Sequence, residues 1–240
     1  AILDRAQQVM GNVVRPEQSR VTDYRDFLEA GGRGELDVLE TLDEELASGS
    51  YQKTRPSKIE SLRFDTRIEK NSNVALVMDA SLSMKGEKIA LLAVSAAVVA
   101  LCVRPERLSL MGFDSGVRWV KRFREELSVP SVVERVLELP AGGFTNMEIA
   151  LKETANALAQ ANRENTNVIL ITDGKYTEGA DPTPLAAKFK HLNVLKIGRD
   201  QAGRELLIEL TARGNGKFFE ARKINELPKT IYSAMRTLLR

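Results

Sequence analysis

From Asn73 onward, short wholly apolar runs alternate with longer segments whose apolar residues recur at helical spacing. Val74–Met78 and Val168–Thr172 are apolar throughout, as expected of strands covered on both faces. Glu87–Val103 is apolar and rich in alanine, which predicts a helix packed closely on the sheet. Leu108–Phe113 reads as a second strand. Asp114-Ser115-Gly116 then turns the chain into Val117–Phe123, an antiparallel partner at the sheet edge. Further on, helices are expected over Val132–Leu139, Met147–Ala161, Pro184–Lys190, Glu205–Arg213 and Ile224–Leu239, and strands over Val194–Ile197 and Lys217–Glu220. Such alternation predicts an α/β fold: a mostly parallel sheet with one antiparallel edge strand and helices on both faces.

The first seventy residues follow another pattern. Ile2–Val14 and Pro16–Glu29 read as helices, the second with proline near its first turn. After the break at Gly31-Gly32-Arg33-Gly34, Leu36, Leu39, Leu42 and Leu46 recur at helical spacing, so Glu35–Ala47 is expected to be an amphipathic helix. Thr54–Ser57, with Pro56, reads as a linker. The expected organisation is a helical extension and linker over residues 1–70, then an α/β domain over 71–240.

Composition narrows the function classes. The chain has 240 residues, enough for a full core, and a net charge of +2 from 35 basic and 33 acidic residues. So even a balance argues against a dedicated nucleic-acid binder, as does an aromatic content of 5%, since single strands are held by stacking on aromatic rings. The lone Cys102 excludes a disulfide within the chain and fits a reducing compartment. The apolar stretch Ile89–Val103 is too short to span a bilayer, which takes roughly 20 residues, and the amino terminus lacks a signal-peptide pattern. The expectation is a cytoplasmic protein without membrane association. His191 is the single histidine, so a nitrogen–sulfur zinc centre is not expected. Without a Gly-x-x-x-x-Gly-Lys-Ser/Thr run, any ATP use would come from another chain.

In open parallel sheets, ligands bind beyond the carboxyl ends of the strands. Three such loops carry chemistry here: Asp79-Ala80-Ser81-Leu82-Ser83, Gly142-Gly143-Phe144-Thr145-Asn146, and Asp173-Gly174. Together they offer two carboxylates and three hydroxyls, all hard oxygens, which suits Mg2+ or Mn2+. If the hydroxyls bind directly and the aspartates act partly through water, the cation keeps positive charge and seeks an outside anion. Each residue also has a plain structural reading. Ser83 and Thr145 precede helices and read equally as N-caps, Asp173-Gly174 as a turn, and Asp114 as part of the hairpin turn.

The set Asp79-x-Ser81-x-Ser83, Thr145 and Thr172-Asp173-Gly174 resembles the von Willebrand factor A family and its metal-ion-dependent adhesion site. The resemblance covers roughly Asn73–Arg240 and implies a Rossmann-like fold. It further implies Ser81, Ser83 and Thr145 as direct ligands, with Asp79 and Asp173 direct or water-linked. Leu82 stands where glycine is common between the serines, much as in integrin beta chains. Those chains build a second metal site from acids after Ser-Met-Lys, whereas Gly86-Glu87 follow Lys85 here. Within the family, the run from Gly34-Glu35-Leu36-Asp37 to Ser50 ahead of the domain resembles the leader of the intracellular magnesium-chelatase D-subunit-like and CoxE-like branch, to which the chain looks most similar. That similarity implies work alongside an AAA+ ATPase or its client.

The expected function is therefore a non-enzymatic, metal-dependent module that binds an Asp or Glu of a protein partner. Two rival readings are a metal-dependent phosphoester hydrolase, which would need a positioned base, and an RNA-associated protein of the same family.

Overall fold

A computed structural model describes residues 2–10, 18–23, 25, 35–36, 63–68, 73–84, 86–159 and 166–238. In chain order the elements are α1 (Ile2–Met10), β1 (Gln18–Asp23), β2 (Glu35–Leu36), β3 (Arg63–Ile68), β4 (Asn73–Asp79), α2 (Glu87–Cys102), β5 (Leu108–Phe113) and β6 (Val117–Lys121). They continue as α3 (Val129–Leu137), α4 (Met147–Ala159), β7 (Thr166–Thr172), α5 (Thr183–Ala186), β8 (His191–Ile197), α6 (Arg204–Arg213), β9 (Phe218–Ala221) and α7 (Leu227–Leu238). The chain forms two compact units: residues 1–15 with 71–239, and residues 16–70 with Arg240.

The larger unit is built on a six-stranded sheet in the order β6-β5-β4-β7-β8-β9. Every pairing is parallel except β5 with β6, which is antiparallel with an irregularity at Leu110/Met111. This is the expected α/β architecture, hairpin edge strand included. Side chains alternate across it: Val74, Leu76 and Met78 face one apolar cluster, whereas Ala75 and Val77 face the other. Burial on both faces is why β4 and β7 read as unbroken apolar runs.

Helix α2 crosses the first face. Its residues from Leu91 to Val99 are all buried, because α1, α3 and α7 pack around it. Ala93, Ala96 and Ala97, all fully buried, keep it close to its neighbours. The opposite face is covered by α4 and α6. Cys102, at the end of α2, is partly buried, and burial pushes its thiol up to about 11. Among the described residues, no helix is long and apolar enough to cross a membrane.

Several boundaries move. Helix α3 starts three residues earlier than expected, with Ser128 Oγ accepting the Ser131 N–H at 3.3 Å and Pro130 in its first turn. α5 is shorter, spanning Thr183–Ala186. Strand β8 starts at His191, three residues before the expected Val194, and His191 Nδ1 lies 3.2 Å from the Asn215 carbonyl oxygen.

The smaller unit departs further from expectation. Gln18–Asp23, expected within a helix, is a strand paired antiparallel with Arg63–Ile68, with Val21 opposite Asp65. Glu35–Leu36 pairs with the other edge of β3. Arg63–Ile68 alternates charged or polar residues with Phe64, Thr66 and Ile68, the period of a strand. A helical reading of Pro16–Glu29 uses local pattern alone. A partner some forty residues downstream overrides it, and Val21 and Thr22 suit the strand. The rest of the expected helix Glu35–Ala47, like the linker Thr54–Ser57, lies outside the described residues.

One buried charge marks the sheet edge. Lys121 is 1% exposed, and its ammonium donates to the carbonyls of Pro105 (2.5 Å), Leu108 (2.8 Å) and Arg122 (3.2 Å). Burial lowers its pKa from the ordinary lysine value. Lys121→Ala strands those acceptors, so equilibrium unfolding in urea is expected to show a loss of about 1–3 kcal/mol.

Candidate metal centre

Strand β4 has β5 on one side and β7 on the other, so the direction of chain winding changes there. That reversal opens a crevice at the carboxyl ends. Beyond Asp79 the chain stays pinned, with the Ala80 N–H donating to the Phe113 carbonyl at 2.7 Å. It then makes a tight 3-10 turn over Leu82–Met84, closed by the Met84 N–H on the Ser81 carbonyl and anchored by the fully buried Met84. The turn sets Ser81 Oγ and Ser83 Oγ 3.2 Å apart. Lys88, in the first turn of α2, donates to the Ser83 carbonyl at 2.6 Å.

Asp79 lies beneath this turn, 0% exposed. One carboxylate oxygen accepts the Ser81 N–H at 2.9 Å and the other the Thr172 hydroxyl at 2.8 Å. Thr172, the last residue of β7, in turn accepts the Gly174 N–H. Burial raises the Asp79 carboxyl above the ordinary range. The hydrogen bonds from Ser81 and Thr172 pull it back, and the negative charge of Asp173 adds to the rise. Asp173, itself buried, accepts the Lys175 N–H at 3.0 Å in a local turn. Among the described residues, neither carboxylate has a Lys or Arg in salt-bridge contact.

The third loop is laced to both others. The Gly142 N–H donates to the Ala80 carbonyl (3.1 Å), and the Leu82 N–H to the Gly143 carbonyl (3.4 Å). On the far side, the Thr145 N–H donates to Thr177 Oγ1 at 2.9 Å, and the Thr145 carbonyl accepts the N–H groups of Thr177 and Glu178. Thr145 is thus 3% exposed, with its main chain committed to the loop that follows Asp173. Gly143 adopts a φ of +69°, and a Cβ there would come within 3.0 Å of Ser115 Oγ.

These contacts decide among the plain readings. Helix α4 is capped by Asn146, whose Oδ1 accepts the Ile149 N–H at 3.1 Å, so the Thr145 hydroxyl is not the cap. The N-cap of α2 is Gly86, with no side-chain bond, which removes that role from Ser83. Asp173 does take part in a turn, as its plain reading had it. Asp114 is a brace: its carboxylate binds the Gly116 N–H and the Arg118 guanidinium (2.7 Å), and its carbonyl accepts the Asn146 N–H.

Sequence reasoning did not assign roles to Thr172, Thr177 or Ser115, whose hydroxyls hold Asp79, Thr145 and Phe144 in place. Each sits one or two residues from a residue it did single out or in a loop facing one. Glu178 was also missed. One of its carboxylate oxygens is buried without a hydrogen-bond partner, beside an N–H that supports Thr145.

The donor chemistry fits one hard divalent cation. Two buried carboxylates with no Lys or Arg in salt-bridge contact among the described residues create an electrostatic demand for positive charge, and hydroxyls on the same edge supply neutral oxygen. Among the described residues there is no group of three or more His, Cys, Asp or Glu, so a nitrogen–sulfur cluster is not built. When bound, such a cation would polarise and hold an anionic oxygen. Asp79 and Asp173 would balance its charge, and Ser81, Ser83 and Thr145 would orient it.

Comparison with known proteins adds the following. A model of the von Willebrand factor type A domain matches residues 73–233. Among solved structures, the fold is similar to the von Willebrand factor type A protein of Catenulispora acidiphila, at 19% identity and a TM-score of 0.57, covering 70% of this chain and 43% of that one. Proximal thread matrix protein 1 of the mussel byssus, with a zinc-occupied MIDAS motif, matches at 17% identity and 0.58, covering 70% and 47%. An aerotolerance-related membrane protein of Bacteroides fragilis matches at 16% and 0.54, covering 70% and 100%. The chain spans less than half the length of the first two. At such identities these likenesses concern the fold. No curated protein matches the chain.

Proposed function

The chain belongs to the von Willebrand factor type A family, and from that membership we propose that Asp79, Ser81, Ser83, Thr145 and Asp173 hold one Mg2+ or Mn2+ that grips an Asp or Glu of a protein partner. Domains of this family are typically non-enzymatic interaction modules. The observation that carries the reading is Asp79: a fully buried carboxylate, next to the charge of Asp173, whose hydrogen bonds among the described residues come from neutral donors. A cation would relieve that arrangement, and the hydroxyl pair beside it supplies uncharged ligands. The residual positive charge of the cation then selects an acidic side chain from outside.

The partner we propose is an AAA+ ATPase or its client, in the cytoplasm, with residues 16–70 as a second contact region. What supports this finer reading is the sequence similarity of the segment 34–50, ahead of the domain, to the leader of the magnesium-chelatase D-subunit-like branch. The hydrolase alternative would need a carboxylate positioned as a base, whereas both Asp79 oxygens already accept hydrogen bonds from the scaffold.

Titration calorimetry with magnesium and manganese chloride tests the site. Saturable one-to-one binding in the millimolar range or tighter is expected, weakened at least about tenfold in Thr145→Ala, a change of roughly 1.4 kcal/mol. Neither ion saturating the protein at millimolar concentration would end the proposal. Partner capture from lysate should then be lost with chelator and with Thr145→Ala alike.

A further inference from the structure

Among the described residues, four large apolar side chains are exposed: Leu82, Leu137, Phe144 and Ile208. The two most exposed, Phe144 at 64% and Leu82 at 59%, both belong to the candidate metal loops. Leu82 stands between Ser81 and Ser83, and Phe144 immediately precedes Thr145. The bond from the Leu82 N–H to the Gly143 carbonyl at 3.4 Å ties together the two loops that carry them. Phe144 is further held by its own N–H on Ser115 Oγ at 3.0 Å, so its backbone is committed while its ring faces solvent. Leu137 and Ile208 lie apart, on α3 and α6.

We infer that Leu82 and Phe144 form an apolar rim selecting an extended partner segment in which the metal-bound acid is flanked, within two positions, by Leu, Ile, Met or Phe. This rests on the metal-dependent reading above and specifies its partner. The geometry and charge agree. An extended chain rises about 3.3 Å per residue, so the backbone of a neighbour one or two positions away lies roughly 3–7 Å from that of the acid, and Leu82 and Phe144 each adjoin a candidate hydroxyl ligand in sequence. Lys88 brings a positive charge against the Ser83 loop, so the surroundings of the rim favour an anionic residue at the centre. Apolar flanks alone would gain burial but no ionic anchor. Acid alone would leave two large apolar groups in water.

The experiment is selection from a displayed library of random twelve-residue peptides with one fixed central Glu. It is run against the full chain in magnesium and in chelator, then repeated with the Leu82→Ser/Phe144→Ser double variant. Both side chains are exposed, so the variant should fold, and an unchanged melting temperature checks this. The expected magnesium-dependent pool is enriched in Leu, Ile, Met or Phe within two positions of Glu. A representative peptide should bind the double variant about tenfold or more weakly, while magnesium affinity measured alone stays the same. A chelator-sensitive pool with no apolar preference, or with affinity unchanged in the variant, overturns this inference and leaves the metal reading standing. No chelator-sensitive pool at all overturns both.

Discussion

Asp79→Asn is expected to abolish magnesium binding while leaving the metal-free protein as stable as the wild type or more so. Asparagine keeps an oxygen for the Ser81 N–H, and its amide nitrogen can donate to Thr172 Oγ1 in place of the bond Asp79 now receives. What it removes is a charge buried at 0% exposure beside the charge of Asp173. Burying a carboxylate without a cation is costly, and neutralising it lifts that cost and the repulsion together. The cation reverses the comparison. At a concentration one hundred times its dissociation constant, a ligand that binds only the folded state adds about 2.7 kcal/mol, and about 1 kcal/mol moves the melting temperature roughly 2–4 °C at this chain length. Thermal unfolding should therefore show a magnesium-dependent rise of about 5–10 °C in the wild type and none in Asp79→Asn. If the variant keeps the rise, Asp79 does not serve the metal. If it melts well below the wild type in chelator, the carboxylate is structural instead.

Gly203→Ala is expected to be the most disruptive single methyl group in the neighbourhood of Asp173. Gly203 adopts a φ of +67°, and a Cβ there would fall 1.8 Å from the Gly174 carbonyl oxygen and 2.7 Å from its carbon. Backbone cannot swing aside as a flexible side chain can, so the loop directly after Asp173 must shift. Left-handed strain and displacement together are expected to cost about 2–4 kcal/mol. Because Thr172 binds the Gly174 N–H and Asp79 alike, the shift should reach the candidate metal centre and weaken magnesium binding about tenfold or more. Gly198→Ala is the control. Its φ is +92°, but nothing lies within 4 Å of the added Cβ. It should lose about 1–2 kcal/mol from backbone strain, with magnesium affinity unchanged in calorimetry. Equal effects at both positions would show that the Gly174–Gly203 approach does not position Asp173.

The main sheet was readable from pattern because each central strand is covered on both faces. Val74–Met78 and Val168–Ile171 have no polar position to confuse with a loop or a helix face. The hairpin was readable from Asp114-Ser115-Gly116. Strand β1 was not. Gln18–Asp23 carries no apolar run of its own, and its stability as a strand depends on pairing with residues 63–68. Pairing across that separation leaves little trace in a local window, whereas a proline near a helix start leaves an obvious and misleading one.

The oxygens of the candidate site were equally visible in advance, because hydroxyls and carboxylates at strand ends are local features of sequence. Whether Ser83 and Thr145 were helix caps was settled only by the fold, where Asn146 caps α4 and Gly86 precedes α2. The same holds for the supporting threonines and for the exposed pair at Leu82 and Phe144. Identity of residues and their period are written along the chain, so the alternation of strands and helices and the list of candidate ligands follow from it. Which N–H a side chain meets, and which apolar group stays in water, depend on segments far apart in sequence. Those outcomes exist only once the loops have closed on one another.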